Sequence, residues 1–355
     1  MTAGRSASDS DGDRTAGDGS SRTGAAKHAS ARVRGTTVAI VAAAVAVALV
    51  AAGGIGVMAW RGMPSDSGVP ERPVAAEEAD ATPEHDAMQR QAVPDPDAGR
   101  LVQLRMDALR DELETLIAGY SGNWQVYCQD LATGASLMIN NHQGYSASVI
   151  KLYVMLAVYQ RIHDGALAED ETIDELLRQM ITVSSNEATN TLVDIIGGGD
   201  GGTGFAIVND TAKRYGFQDS FITQYLGDIS GDPSRKRTSA EDCGRFMAAV
   251  YRGELVSEDA SRSMLDLLLT QTRVTKIPGG VPEGTVTANK TGEIDGVEND
   301  AAIVFASADT SAAIDGTATE GDYVLTVLTE DVPDSETAQA GIRELSGVVW
   351  NAMES

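Results

Sequence analysis

Residues 35–60 carry no charged side chain, and this stretch divides the rest of the chain into two sides. A helix needs about 20 apolar residues to cross the roughly 30 Å hydrocarbon core of a bilayer, and residues 35–60 exceed that length. A cleaved signal peptide has a shorter apolar region, about 7–15 residues, so an uncleaved transmembrane signal anchor is expected here. Lys27, Arg32 and Arg34 flank the near side. The bias of basic residues toward the cytoplasmic face places residues 1–34 in the cytoplasm, and everything after Arg61 outside, in a single-pass cell-membrane protein. The tail 1–34 is rich in Ser, Gly, Asp, Thr and Arg and poor in large apolar side chains, so it is expected to be disordered. Residues 61–98 hold six of the ten prolines among Ala, Glu and Asp, a composition suited to an extended linker. The folded domain is then expected over 99–355.

Composition narrows the function classes. A formal charge of −25 argues against nucleic acid as a partner, since phosphate contacts need clustered Lys and Arg. Two cysteines, Cys128 and Cys243, are too few for a disulfide framework or a four-cysteine zinc site. They are either buried thiols or a single bridge. With 355 residues the chain has ample length for a large core, and nothing in it fixes the oligomeric state.

Leu101, Leu104, Leu109, Leu113, Leu116 and Ile117 recur at helical spacing and predict an amphipathic helix to about Tyr120. Trp124, Val126 and Cys128 alternate with polar residues as a strand, Thr133-Gly134 turns, and Ser136–Ile139 returns as a second strand. A long region, about 148–272, reads as helical. Strands are expected again at 284–290, 299–308 and 322–329, and a helix over 338–353 closes the chain. Both ends therefore contribute to one sheet. The expected fold is α/β: an antiparallel sheet flanked by helices, an α-β-α sandwich, with an inserted all-helical subdomain and a cleft between the two.

Three short motifs carry chemistry. A polar turn, Asn140–Gly144, runs into the apolar segment beginning at Ser148-Val149-Ile150-Lys151. On a helix, residues three apart share a face, so the Ser148 hydroxyl and the Lys151 amine are neighbours. In the first helical turn Ser148 would also meet the positive end of the macrodipole. A lysine in apolar surroundings loses solvation, its pKa falls, and it can act as a base for a nucleophilic serine. Taken alone, the pair is equally well an N-cap and an ordinary first-turn lysine. Ser184-Ser185-Asn186 lies between two predicted helices; alone it is read more readily as capping than as a site. Lys290-Thr291-Gly292, followed by Glu293, ends a predicted strand and alone reads as a plain strand end.

Other catalytic designs fit poorly. Of four histidines, His28 and His85 lie outside the folded domain, and no Gly-x-Ser-x-Gly elbow occurs. The run Gly197–Gly202 follows a helix and lacks the Lys-Ser/Thr of a phosphate-binding loop.

Taken in order, Ser148-x-x-Lys151, Ser184-x-Asn186 and Lys290-Thr291-Gly292 resemble the motif set of class A β-lactamases and penicillin-binding proteins, from about Leu101 to Met353. Ile196-Gly197-Gly198, Ser230-Gly231-Asp232-Pro233 and the run from Lys276 to Gly284 agree with it. The resemblance implies Ser148 as nucleophile, Lys151 as base and Ser184 as proton relay. It implies that Asn186 holds a substrate amide, and that Lys290 and Thr291 bind the substrate carboxylate with Gly292 leaving room. The backbone N–H groups of Ser148 and Glu293 would form the oxyanion hole. No metal or organic cofactor is implied. The expected substrate is a small β-lactam or a peptidoglycan peptide.

The chain departs from that pattern. The resemblance calls for a loop glutamate that activates the deacylating water, yet none occurs between Glu187 and Glu241. Ser185 stands where aspartate is usual, and Glu293 adds a negative charge beside the carboxylate site. Acylation is supported and fast deacylation is not. The expected activity is therefore slow β-lactam hydrolysis. Two alternatives remain: a penicillin-binding D,D-peptidase-like enzyme, or a non-catalytic cell-surface module of the same fold.

Overall fold

The computed structural model describes residues 96–228, 232–308, 310, 313 and 318–354. The expected tail, the anchor and nearly all of the linker lie outside the described residues. Among the described residues no helix is long and apolar enough to cross a membrane.

In chain order, α1 (Pro96–Ile117) leads to β1 (Asn123–Asp130), β2 (Ser136–Ile139), β3 (Gly144–Tyr145), a 3₁₀ turn (Ala147–Ile150) and α2 (Lys151–His163). Then come α3 (Glu171–Thr182), α4 (Asn186–Ile196), α5 (Gly201–Arg214), β4 (Phe221–Ile222), β5 (Lys236–Thr238), α6 (Ala240–Tyr251) and α7 (Glu258–Leu269). The chain closes with β6 (Thr287–Ile294), β7 (Val297–Val304), β8 (Tyr323–Glu330) and α8 (Ser335–Met353).

Both ends of the sequence do build one sheet. It is antiparallel throughout, in the order β2-β1-β8-β7-β6. Side chains alternate between its faces. Val126 and Cys128 of β1, Ala302 and Val304 of β7, and Leu325 and Val327 of β8 enter one apolar core with Met106, Leu109 and Leu113 of α1 and Ile342, Leu345 and Val349 of α8. From the other face, Ala301, Ile303 and Val324 join the core shared with α2 to α7. These strands are covered on both sides, which is why β7 and β8 are buried along their whole length.

The insert is organised on α2. Lys151 to Gln160 are all buried, as expected for a helix surrounded on every side. Its neighbours start at side-chain caps: Asp170 for α3, Ser185 for α4, Asp200 for α5, Ser239 for α6 and Ser257 for α7. Asp200 explains the Gly197–Gly202 run, which is the connection from α4 into α5.

Three expectations need correction. The region 148–272 is not all helical, because β4 and β5 pair with β3 in a separate small sheet of order β3-β5-β4. Strands of two or three residues are too short to show a period of two. The first helix begins at Pro96, inside the segment expected to be linker, and ends at Ile117. Finally, Ser148 does not open an α-helix; it belongs to the 3₁₀ turn, and α2 starts at Lys151. Cys128 and Cys243 are both free and buried, in different cores.

Candidate active site

The 3₁₀ turn places the nucleophile candidate. Side chains at i and i+3 eclipse in a 3₁₀ turn, so Ser148 and Lys151 meet even though the α-helix begins later. Ala147, just before Ser148, has φ +44. A non-glycine residue in this region costs about 1–3 kcal/mol and persists only where its surroundings over-determine it. Ser148 itself is half-buried, with its hydroxyl at Lys151 Nζ, while Ala147, Val149 and Ile150 are buried around it.

Lys151 is fully buried, and its Nζ has four polar neighbours: Ser184 O at 2.7 Å, Asn186 Oδ1 at 2.8 Å, Ser184 Oγ at 3.0 Å and Ser148 Oγ at 3.1 Å. Burial lowers its pKa to about 6, helped by the positive charges of Lys290 and Arg273. A neutral amine has two N–H groups and one lone pair. The two carbonyl oxygens can only accept, so they take both N–H groups. The lone pair is left for a hydroxyl proton.

Ser184-Ser185-Asn186 divides its work between two serines. Ser185 is the N-cap of α4 and accepts from Ala188 N at 3.1 Å. That leaves Ser184, held at φ +59, free to lie between the two lysines. Lys290 Nζ donates to its Oγ at 3.0 Å and to Thr291 O at 2.8 Å. Capping and site geometry coexist here because neighbouring residues perform them.

Strand β6 supplies the far wall. Lys290 and Thr291 are buried, and burial brings Lys290 down to about 7, with Arg273 and Lys276 adding to the effect against the pull of Asp300 and Glu293. Gly292 is where β6 meets the nucleophile turn. A Cβ there would lie 2.8 Å from Ser146 O and 3.0 Å from both Ser148 N and Val149 N. The room that Gly292 leaves is thus for the backbone of residues 146–149, a correction to the expectation that it spares space for a carboxylate.

The charge of Glu293 is met rather than bare. Its carboxylate binds Arg273 at 2.7 Å and Lys276 at 3.2 Å. Burial opposes ionisation, but Lys276 and Arg273 together hold its pKa below the usual carboxylate range. Lys276, fully buried, also pairs with Glu298 at 2.6 Å and donates to Asn299 O and Gly292 O at 3.1 and 3.3 Å. The sequence reading gave no role to Arg273, Lys276 or Glu298; the signal was present as two cations, Arg273 and Lys276, just ahead of the Lys290 strand. Lys276→Ala leaves Glu298 charged, buried and without its main partner, and is expected to cost about 3–5 kcal/mol, read as a loss in urea unfolding free energy.

In the stretch between Glu187 and Glu241, where the resemblance calls for a water-activating glutamate, the described part of the loop at 221–228 reaches Asn186. What it brings there is Gly227, whose Cβ position would be 3.2 Å from Asn186 Nδ2. Gln224 Nε2 donates to Asp228 Oδ2 at 3.0 Å, and both Tyr225 and Asp228 are exposed.

The sequence-derived residues Ser148, Lys151, Ser184, Asn186 and Lys290 therefore converge on one hydrogen-bonded cluster, with Gly292 against the turn that carries Ser148. Thr291 lies in the same strand, and Glu293 closes it with an ion-paired carboxylate. Among the described residues no cluster of His, Cys, Asp and Glu could hold a metal ion.

Comparison with known proteins agrees with this architecture. The sequence profile described as the β-lactamase enzyme family matches residues 108–175 and 169–353. No curated protein matches. Among solved structures, PBP-A shares 24% identity and a TM-score of 0.60, covering 70% of this chain and 97% of its own. A mutant of PBP-A, captured as an acyl-enzyme complex with penicillin G, aligns at 23% identity and TM-score 0.60, over 70% of this chain and 97% of its own. A β-lactamase from Chitinophaga pinensis aligns at 19% identity and TM-score 0.60, over 69% of this chain and 99% of its own. At these identities the structures speak for the fold, and the profile speaks for descent: the chain belongs to the β-lactamase enzyme family.

Proposed function

We propose that this protein is a membrane-tethered, extracytoplasmic serine hydrolase of class A β-lactamase type that is acylated at Ser148 and deacylates slowly. The observation that carries the reading is the approach of buried Lys151 Nζ to Ser148 Oγ at 3.1 Å, with Ser184 O and Asn186 Oδ1 placed to take the N–H groups of its neutral form. Ser148 Oγ attacks the lactam carbonyl carbon while its proton passes to Lys151 Nζ. The carbonyl oxygen becomes an oxyanion, held by the backbone N–H groups of Ser148 and Glu293. As the C–N bond breaks, the proton moves from Lys151 through Ser184 Oγ to the leaving nitrogen. Lys290 receives the substrate carboxylate, with Thr291 beside it. Water must then cleave the acyl ester, and the loop that reaches Asn186 through Gly227 lies in the stretch between Glu187 and Glu241, which has no glutamate to activate that water.

That loop also favours a second reading, a penicillin-binding D,D-peptidase-like enzyme acting on peptidoglycan peptides. Turnover of a chromogenic cephalosporin separates the two. Slow but continuing turnover supports the hydrolase. A stoichiometric burst with no further turnover, together with release of D-alanine from a cell-wall peptide, supports the peptidase. The tether is tested by fractionation: residues 35–60 are expected to hold the chain in membranes through a salt wash, and recovery in the soluble fraction contradicts the anchor.

The pH profile follows from the two amines. Lys151 must be neutral to accept a proton and Lys290 charged to bind a carboxylate. Acylation at low penicillin concentration is expected to fall below about pH 6 as Lys151 protonates, and above about pH 7 as Lys290 loses its proton. A bound carboxylate favours the charged form of Lys290. At saturating penicillin the alkaline limb should therefore move to higher pH, which stopped-flow acylation at two concentrations will show.

A further inference from the structure

Away from the catalytic cleft, a cavity of about 310 Å³ lies between the C-terminal half of α6, strand β1 and the turn after α5. Tyr127 forms its floor. The ring lies flat on α6 at Gly244, where a Cβ would stand 2.0 Å from Tyr127 Cδ1, so the ring's place depends on that glycine. Phe217 and Leu255, both buried, supply apolar wall, and Tyr215 adds a second aromatic ring. The Tyr215 hydroxyl is already committed, donating to Gln160 Oε1 at 2.7 Å and accepting from Val256 N at 3.1 Å.

Two cations face this cavity, whose exposed lining, Gln129 included, is more polar than apolar. Arg245 and Arg252 are seven residues apart, two helical turns, and so lie on one side of α6 and its C-cap. Arg245 is anchored by a single hydrogen bond, Nη1 to Gly216 O at 3.3 Å. Among the described residues neither guanidinium makes an ion pair, although the chain has 52 acidic residues. Glu254 is the one carboxylate in the lining, while Asp242 acts electrostatically on Arg245 and Glu241 on Tyr127 from beside it.

From these features we infer that the cavity is a binding site for a small aromatic monocarboxylate. Its ring packs against Tyr127, Tyr215 and Phe217, and its carboxylate is held by Arg245 and Arg252. The volume falls at the lower end of the range for small-molecule pockets. Guanidinium–carboxylate contacts are charge-assisted and geometrically specific, so the arginines choose the head group and the rings choose the body. The site shares no residue with the Ser148 cleft.

The test is a titration of the full-length protein, in detergent, with 2-naphthoate, followed by the fluorescence of the ligand. Saturable binding is expected, weakened about ten-fold or more in Arg245→Met and in Arg252→Met. The uncharged 2-naphthamide should bind at least about ten-fold more weakly, and acetate should not compete. Arg245 is exposed and Arg252 half-buried, so the variants are expected to melt like the parent, which circular dichroism checks. Lys290→Ala should leave binding unchanged. The proposal is overturned by an absence of saturable binding, by binding that survives both arginine-to-methionine changes, or by binding that is lost in Lys290→Ala. That last result would place the ligand in the catalytic cleft.

Discussion

Lys151→Met is expected to slow acylation of Ser148 by penicillin about 10²–10⁴-fold, the usual contribution of a positioned general base. Methionine fills a similar volume but offers no lone pair at the Ser148 hydroxyl. Ser184 Oγ keeps its bond from Lys290, so the cleft is not left empty of donors. The same change carries a stability signature. The folded pKa of Lys151, about 6, is depressed below its unfolded value, so between those two values the unfolded chain binds the extra proton. Stability from this group therefore rises with pH across that window, and its cost to the fold is fully present below about pH 6. The melting temperature of Lys151→Met relative to the parent should be most favourable near pH 6 and become less so as the pH rises. A variant whose melting temperature rises relative to the parent as the pH rises, or acylation at the parental rate, would contradict the assignment of Lys151 as the base.

Gly292→Ala should be nearly as damaging, for a different reason. The added methyl group meets Ser146 O at 2.8 Å and the N atoms of Ser148 and Val149 at 3.0 Å, and all three are backbone atoms with no rotamer to yield. Either β6 or the 3₁₀ turn must move. Moving either separates Ser148 N from the edge of β6, where Glu293 N would complete the oxyanion hole. Loss of one oxyanion donor costs about 10²–10³ in rate, and that is the expected fall in the acylation rate constant. Penicillin affinity before acylation should change far less, because the Lys290 ammonium and the Thr291 hydroxyl that receive the carboxylate are both retained. A variant with the parental rate constant would show that this close approach is not part of the reaction.

What the sequence made legible was the part written in long periods. The hairpin β1–β2, the late strands β6 to β8 and the flanking helices α1 and α8 each show apolar spacing over many residues, and the sheet follows from their order in the chain. The three motifs were legible as a set, because their separate positions only make sense if a fold brings them together. The small sheet was not legible, since β3 and β4 have two residues each and β5 three. Nor was the role of Gly292, which depends on a contact with residues 146–149 across the fold. The buried pair Lys276–Glu298 was hidden for a similar reason: its two residues lie in different elements, and neither spacing nor composition ties them. The turn at Ser184 illustrates the limit best. Its sequence reads as a cap, and Ser185 is one; the backbone at φ +59 is what releases Ser184 toward the lysines.

The most direct measurement is intact-mass spectrometry of the protein at neutral pH after mixing with penicillin G, followed over time and mapped by peptide digestion. One penicilloyl group is expected on Ser148, appearing fast, declining slowly, and absent from Ser148→Ala. No mass increase, or an adduct on any other residue, would contradict an acyl-serine enzyme built on Ser148 and Lys151.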